Sequence, residues 1–480
     1  MAVGGAIVTG AGALAKAILQ LLAVVVLARL LSPQDFGIMA MVFPLIAFAT
    51  VFQQAGLGSA VLQRETLTHQ ELSTIFWTNA AIGSLLCGLL VVVAPWVAHF
   101  YHEPRVLALT KASGLLMMLG ALSSQHLALL SRQMKFSRLA LIDVLSLTIG
   151  TSTGIISAYI FGSYWAIFFL SFGTSASMCF FAWMLNGWRP GRMAPLQHIK
   201  DVLLFGGHIT ASNLATYFGR NLDNILIGRW IGSVALGYYE RAYKVVLLPV
   251  LFVHMPLYRV LVPMLSQARQ NQERYRQLFI LGFQLSLFMT FPGTFVLIVA
   301  AREIVLIVMG EQWLVAAPIF SWLALATLAQ LATGPLSMIF VSQDRSREAM
   351  ISSIVSSLFS SMAFVIGLQW GAVGVAAVYA ISELIRTPVM LWYATRKGPV
   401  AMRDTTLALM PFLLAAILGA LIFFWWKSNF ARPASPLLFI VVVGAMAYSV
   451  TFLCLLLNRT SRAFLTESFT VLGSLLRPKR

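Results

Sequence analysis

Residues 213–229 read NLATYFGRNLDNILIGR. Apolar sequence resumes at Val202 and runs to Ile231, which is the length of a helix that crosses a bilayer, yet Arg220 and Asp223 stand well inside it. A charge at membrane depth costs roughly 2.5 to 3.5 kcal/mol even on the lenient insertion scale, so it faces a bundle interior or a wet cavity. Helical spacing sets Asn213, Tyr217, Arg220 and Asn224 along one face at steps of four, three and four, with Asp223 beside them. Leu214, Phe218, Leu222 and Ile225 fall largely on other sides. Three readings stay open. Arg220 and Asp223 neutralise each other and pin two helices; or the stripe faces a substrate, which the Tyr and the two Asn favour; or Arg220 snorkels to the interface on its long stem.

Working outward, the composition names the solvent. The chain has 480 residues, 59% hydrophobic and 10% charged, against about 25% charged in an ordinary soluble domain. The expected class is an all-α polytopic membrane protein with no separate soluble domain. The first residues, MAVGGAIVTGAGALAK, lack a basic stretch ahead of the apolar run and are read as a retained span. Cys87, Cys179 and Cys454 lie in apolar runs, without the spacing of a disulfide framework or a metal site. A net charge of +17 suggests nucleic acid in a soluble protein; here its distribution counts for more.

Apolar windows of about 20 residues place spans near 9–28, 37–62, 74–98, 107–130, 139–160, 164–186, 202–227, 235–262, 277–300, 313–340, 351–369, 372–394, 405–426 and 437–457, about 14 in all. Loops after the even spans, with the C-terminal tail, hold 20 Lys and Arg; loops after the odd spans hold 6. Basic residues accumulate on the cytoplasmic side, so both termini are expected in the cytoplasm.

An echo runs through the chain at an offset of 200: residues 28–37 read ARLLSPQDFG and residues 228–237 read GRWIGSVALG, each closing one span before a long helix. The same offset lays span one on span seven and span two on span eight. The economical division is residues 1–200 with six helices, residues 201–400 with six more, and residues 401–480 with helices 13 and 14 and a basic cytoplasmic tail. Related halves are a common way to build a transporter that binds substrate between them. Pro44, Pro249, Pro256, Pro292 and Pro335 lie inside spans and mark kinks, static or gating.

Other polar groups at membrane depth complete the candidate set. Thr9, Lys16 and Gln20 share a face of the first span, where Lys16 either snorkels or joins Arg220 as a cationic floor for an anion. Glu240 and Lys244 are spaced for an i,i+4 pair, which leaves Arg241 facing elsewhere as a contact for a charged substrate. Glu383 and Arg386 read as a mutual pair, and Asp143 as an internal anchor or a proton site. Asp143, Asp223 and Glu383 are the acidic candidates for coupling to a proton or sodium gradient. Catalytic motifs are missing: there is no Walker lysine loop, and the seven His are scattered. A membrane-embedded glycosyltransferase or polysaccharide polymerase, the rival from another class, would be expected to carry a larger loop with catalytic groups.

The blocks LARLLSPQDFGIMAMV (27–42), QQAGLGSAVLQRETLTHQELSTIFWTN (53–79), LLSRQMKFSRLALIDVLSLTIG (129–150) and YFGRNLDNILIGRWIGSVALGYYERAYK (217–244) resemble the polysaccharide transporter branch of the multidrug/oligosaccharidyl-lipid/polysaccharide exporter superfamily. They are similar in particular to bacterial lipopolysaccharide and colanic-acid-type exporters and to O-antigen flippases. The resemblance covers about the first 400 residues; beyond Pro411 only hydrophobic character remains. It implies two pseudo-symmetric six-helix lobes in a V around a central cavity, plus two C-terminal helices, in the bacterial inner membrane. It also implies transport, without ATP hydrolysis, of a saccharide carried on a polyprenyl pyrophosphate, with bilayer lipids and polysaccharide assembly proteins as partners and no nucleic acid. On that reading Lys16, Arg220 and Arg241 face the phosphates, while Gln20, Asn213, Tyr217 and Asn224 serve the sugars. Lys16, with no carboxylate in the first span, sets the chain apart from drug-exporting relatives. Lipid II exporters are closer rivals in chemistry.

Overall fold

A computed structural model of the chain describes residues 2–53, 68–193, 195, 214, 217, 219, 221–430, 433 and 435–457. It is all helical among those residues and divides into two compact units, Met1–Glu240 and Arg241–Arg480. Among the described residues ten stretches are long and apolar enough to cross a membrane, or up to eleven when one bent pair counts as a span. The protein is therefore a multi-pass membrane protein. Its outward faces agree: Leu85, Val92 and Trp96, and Leu421, Phe424 and Trp425, are exposed, while Ser73, Thr74, Thr110, Ser113 and Gln125 are buried. Many hydroxyls bond back to the carbonyl four residues earlier, as Thr50 does to Ile46 and Thr78 to Thr74, which satisfies them where no water can.

The first unit contains α1 (Ala2–Leu30), α2 (Pro33–Gln53), α3 (His69–Tyr101), α4 (Arg105–Arg132), α5 (Phe136–Phe161), α6 (Trp165–Asn186) and α7 (221–230). Helix α2 starts at Ser32-Pro-Gln-Asp35, a capping box. The Asp35 amide donates to the Ser32 hydroxyl oxygen, and the Ser32 amide donates to the Asp35 carboxylate, with Pro33 just inside. The other Asp35 oxygen accepts from the Tyr164 amide at 2.9 Å, which ties the start of α2 to the start of α6. Thr68 and Glu71 repeat the box at α3. In the turn between α3 and α4, the Arg105 guanidinium beside Glu103 holds its carboxyl below the usual range.

Small residues set the helix pairings, because lipid tails are as apolar as Leu and give helices no hydrophobic reason to associate. Gly83 lies against Ala121 and Gly114 against Cys87, so α3 and α4 run antiparallel. Gly150 against Thr174 and Gly154 against Leu170 do the same for α5 and α6. Gly12 meets Ala140 and Lys16 meets Asp143; the numbers rise together, so α1 and α5 are parallel.

Helix α8 (Ser233–Gln267) crosses α2 at its start. A methyl added at Gly37 would land on the Ser233 carbonyl oxygen, and one added at Gly237 on the Pro33 carbonyl oxygen. Position 37 thus meets 233, and 237 meets 33. That reciprocal contact is what a local two-fold axis produces, at the same offset of 200 seen in the sequence.

The second unit holds the rest of α8, then α9 (Gln272–Val299), α10 (Ala301–Val308), a 3-10 turn (Glu311–Ala316), α11 (Ala317–Thr333), α12 (Leu336–Ser342), α13 (Ser346–Gly367), α14 (Gly371–Thr395), α15 (Met402–Asn429) and α16 (Pro436–Leu457). Its core is the stripe Tyr275, Phe279, Phe283, Leu287 and Phe291, at steps of four on α9, packed against Leu331, Ala332, Phe412 and Leu455. The proline readings divide. Pro44 and Pro292 lie inside continuous helices; α8 bends by 48° between Ser233–Leu248 and Val253–Gln267; and Gly334–Pro335 separates α11 from α12.

The 50-residue stretch Ser346–Thr395 is two helices. Ser352 pairs with Met390, and Ser356 with Arg386, each pair equidistant from Gly371. That glycine turns the chain at φ 70° and makes α13 and α14 an antiparallel hairpin. The short helix α10 is absent from the sequence reading. Its eight residues include the polar Arg302 and Glu303, and the helix is too short for a hydropathy window of about 20 residues to register.

Candidate functional site

Three of the stripe residues lie among the described residues. Tyr217 is buried, and its hydroxyl donates to the Pro44 carbonyl oxygen on helix α2 at 2.8 Å. Its ring meets Phe48 edge-on with centroids 5.4 Å apart, and its own carbonyl accepts from the Asn221 amide side chain. Asp223 is buried, and its two oxygens part company: Oδ1 accepts from the Asn224 amide at 2.8 Å, and Oδ2 from the Tyr239 hydroxyl at 3.1 Å. Asn224 is half-buried beside it. Asn213 and Arg220 lie outside the described residues.

Tyr239 is the residue that sequence reasoning missed. It is fully buried on α8 and carries the hydroxyl that holds Asp223. A signal was available, since a tyrosine deep in a helix needs a partner for its hydroxyl. Its partner sits on the preceding helix, and no spacing rule names it.

Lys16 is half-buried on α1, and its ammonium lies 3.1 Å from Asp143 Oδ2 on α5. Among the described residues it bonds to no other side chain, so the geometry joins Lys16 to Asp143 and draws no bond from it to the stripe. Gln20, one turn further along, is exposed. In the second unit, Arg241 is buried near the start of its share of α8. Glu383 is buried on α14 and pairs with Arg386, whose other arm reaches Ser356. The Gln330 amide donates to the Tyr379 hydroxyl at 2.7 Å one turn away.

Between α2, α3 and α7 the first unit encloses a groove of about 290 Å³, lined by Pro44, Leu45, Trp96, Phe100, Tyr101, Tyr217 and Ile225. Its wall is aromatic and apolar, while Trp96 at its edge is exposed. The groove suits a hydrocarbon chain. Among the described residues no three His, Cys, Asp or Glu side chains gather as a metal site.

A family model described as polysaccharide biosynthesis protein matches residues 26–318, more than half of the chain. The chain belongs to that family. Among its relatives, the teichuronic acid biosynthesis protein TuaB of Bacillus subtilis (strain 168) is 28% identical over 408 residues, covering 84% of each chain. The lipopolysaccharide biosynthesis protein WzxC of Escherichia coli (strain K12) is 24% identical over 408 residues, covering 83% of this chain and 82% of its own. Among solved structures, the lipid II flippase MurJ in an inward closed conformation superposes with a TM-score of 0.75 over 93% of this chain and 98% of its own, at 16% identity. At that identity the likeness establishes a shared fold. The polysaccharide family inferred from the blocks at 27–42, 53–79, 129–150 and 217–244 is the family that the chain matches.

Proposed function

We propose that this protein is a flippase that moves a saccharide linked to a polyprenyl pyrophosphate across the bacterial inner membrane by alternating access. The observation that carries this reading is similarity over more than four-fifths of both chains to proteins named for teichuronic acid and lipopolysaccharide biosynthesis, on a fold shared with a lipid II flippase. Polysaccharide assembly requires hydrophilic sugar to cross a hydrocarbon layer, and unescorted polar groups meet a desolvation cost of several kcal/mol each. A bundle with a polar interior lowers that cost.

The chemistry of the candidate residues supports the same reading. Pyrophosphate is a dense anion suited to Lys16, Arg220 and Arg241, since charge-assisted hydrogen bonds are about twice as strong as neutral ones. Gln20, Asn213, Tyr217 and Asn224 offer the donors and acceptors that sugars need. The prenyl chain stays in lipid or in the aromatic groove beside Tyr217. Transport is driven without ATP hydrolysis on this chain, with Asp143, Asp223 or Glu383 as the group that couples a proton or sodium gradient. In this proposal 14 helices form two pseudo-symmetric lobes, residues 1–200 and 201–400, around a central cavity. Residues 401–480 add two helices and a basic tail. Bilayer lipids and the polysaccharide assembly proteins are the partners.

Purified protein in liposomes is expected to move a pyrophosphate-linked lipid oligosaccharide with no nucleotide present and to leave it chemically unchanged. A lengthened glycan would make the protein an enzyme. Transport of lipid II at an equal rate would favour the second reading, a lipid II exporter, which the shared fold with MurJ supports. Both termini are proposed to be cytoplasmic on the 20 to 6 distribution of loop charge. A reporter after Arg269 or at Arg480 is then expected inside, and one after Arg229 or Arg302 outside; an inside signal after Arg302 would break the 14-span arrangement.

A further inference from the structure

In the second unit three connections converge: α8 to α9, α12 to α13, and α14 to α15. Arg276 on the first clamps Asp404 on the third with two bonds, of 2.6 and 2.8 Å. Tyr275 bonds to Ser342 at 2.6 Å, and a methyl at Gly398 would lie 2.7 Å from the Gln343 side chain. Arg345 builds the platform: one guanidinium nitrogen donates to the Ala394 and Lys397 carbonyl oxygens, both at 2.9 Å, and the other to Glu348 at 2.5 Å.

The charges on this platform do not balance. Glu348 is shared by Arg345, by Arg396 at 3.5 Å and by Lys397 at 3.6 Å, so one carboxylate faces three cations. Asp404 is committed to Arg276, and Glu273 lies on the same arginine at 3.6 Å. The remaining carboxylate, Asp344, makes no ion pair among the described residues, and neither do the exposed Arg269, Arg274, Arg347 and Arg403. Counted over the three connections, eight cations meet four carboxylates.

The depth of this excess is marked by aromatic side chains. The Arg396 guanidinium stacks 4.1 Å over the Tyr393 ring and 5.9 Å from the Trp392 ring, and Trp392 is 52% exposed. Tryptophan and tyrosine in such a setting belong to the headgroup belt. Val341 and Met402, both exposed, add apolar surface at the same rim. A soluble acidic partner would leave that apolar rim in water. A phospholipid meets both features, with a phosphate for the cations and chains for the rim.

We infer that Arg396 and Lys397, on the platform built by Arg345, Glu348 and the Arg276–Asp404 clamp, form a binding site for the headgroup of an anionic phospholipid. The two side chains sit side by side on a carboxylate that can neutralise only one cation of three, so a phosphodiester completes the pairing without displacing Arg345 from its carbonyls. The site is separate from the residues proposed to hold the transported lipid, and it stands whether or not the flippase reading holds.

The test is a titration of the purified full-length chain with phosphatidylglycerol against phosphatidylcholine, read by native mass spectrometry as lipid retained. Wild type is expected to retain phosphatidylglycerol selectively. Each cation near an anionic headgroup is worth about five-fold in binding, so Arg396→Gln with Lys397→Gln is expected to weaken retention about thirty-fold. Arg396→Lys, which keeps the charge, is expected to retain most of it, and Lys427→Gln, on α15 away from the platform, all of it. Equal retention of the two lipids, an unaffected double variant, or an equal loss in Lys427→Gln would overturn the assignment. Displacement of the lipid by millimolar inorganic phosphate would overturn it too, by making this a site for a soluble anion.

Discussion

Gly37→Ala and Gly237→Ala are each expected to destabilise the protein by about 2 kcal/mol and to lower its thermal midpoint in detergent by several degrees, with the pair of changes worse than either. The reason is local and geometric. A methyl at position 37 would land on the Ser233 carbonyl oxygen, and one at 237 on the Pro33 carbonyl oxygen. The obstacle in each case is backbone, which no rotamer change removes, so α2 and α8 must separate along the crossing and give up their packing. Alanine also favours helix over glycine by about 1 kcal/mol, which offsets part of the loss. That offset supplies the control. Gly88 and Gly444 are helical glycines with nothing within 4 Å of an added methyl, so Gly88→Ala and Gly444→Ala are expected to be neutral or stabilising. Thermal unfolding followed by fluorescence-detected size exclusion separates the two classes. Should Gly37→Ala prove as stable as Gly88→Ala, the close crossing is wrong.

Lys16→Gln is expected to lower export between ten-fold and a hundred-fold at unchanged membrane abundance, the loss of one hydrogen-bonded charge being worth about 1.5 to 3 kcal/mol. The structure sharpens this expectation by supplying a partner. Lys16 and Asp143 lie 3.1 Å apart with each side chain 42% exposed, which leaves the ammonium open to a second partner. Asp143→Asn releases the ammonium, so under the proposed role of Lys16, and with gradient coupling at Asp223 or Glu383, it is expected to preserve export and tighten binding of the pyrophosphate-linked substrate; lost export at unchanged abundance would instead assign the coupling to Asp143. The two single variants then move in opposite directions. A purely structural pair predicts instead that either single change harms export alike and that Lys16→Gln with Asp143→Asn restores it. Export normalised to abundance distinguishes the cases, and recovery in the double variant would remove Lys16 from the substrate site.

Much of the helical framework was legible along the chain. Apolar windows located α3 to α6, α9 and α13 to α16 to within a few residues, because in a bilayer each crossing helix satisfies its own backbone and must be apolar over its length. Their ends run a few residues past the windows: Thr68 and Glu71 cap α3 with polar groups that a hydropathy average assigns to a loop. The spans at 351–369 and 372–394 leave only Trp370 and Gly371 between them, and the pairs flanking Gly371 make the two helices a hairpin. The family was legible in four blocks, since SPQDFG encodes a capping box, a helix start and a glycine crossing all at once.

The sequence by itself determined the solvent, the helical class, the family and the residues that carry charge into the membrane, because each of these follows from composition or from spacing along one helix. Tertiary structure alone decided the partners. It joined Lys16 to Asp143 across 127 positions and gave Asp223 to the Tyr239 hydroxyl. It also set Tyr217 on the Pro44 carbonyl at the edge of an aromatic groove. The physical reason is that helix periodicity fixes which face a side chain occupies, whereas the neighbour that face meets depends on how closely two backbones approach, and in this fold glycines such as Gly37 and Gly237 set that distance.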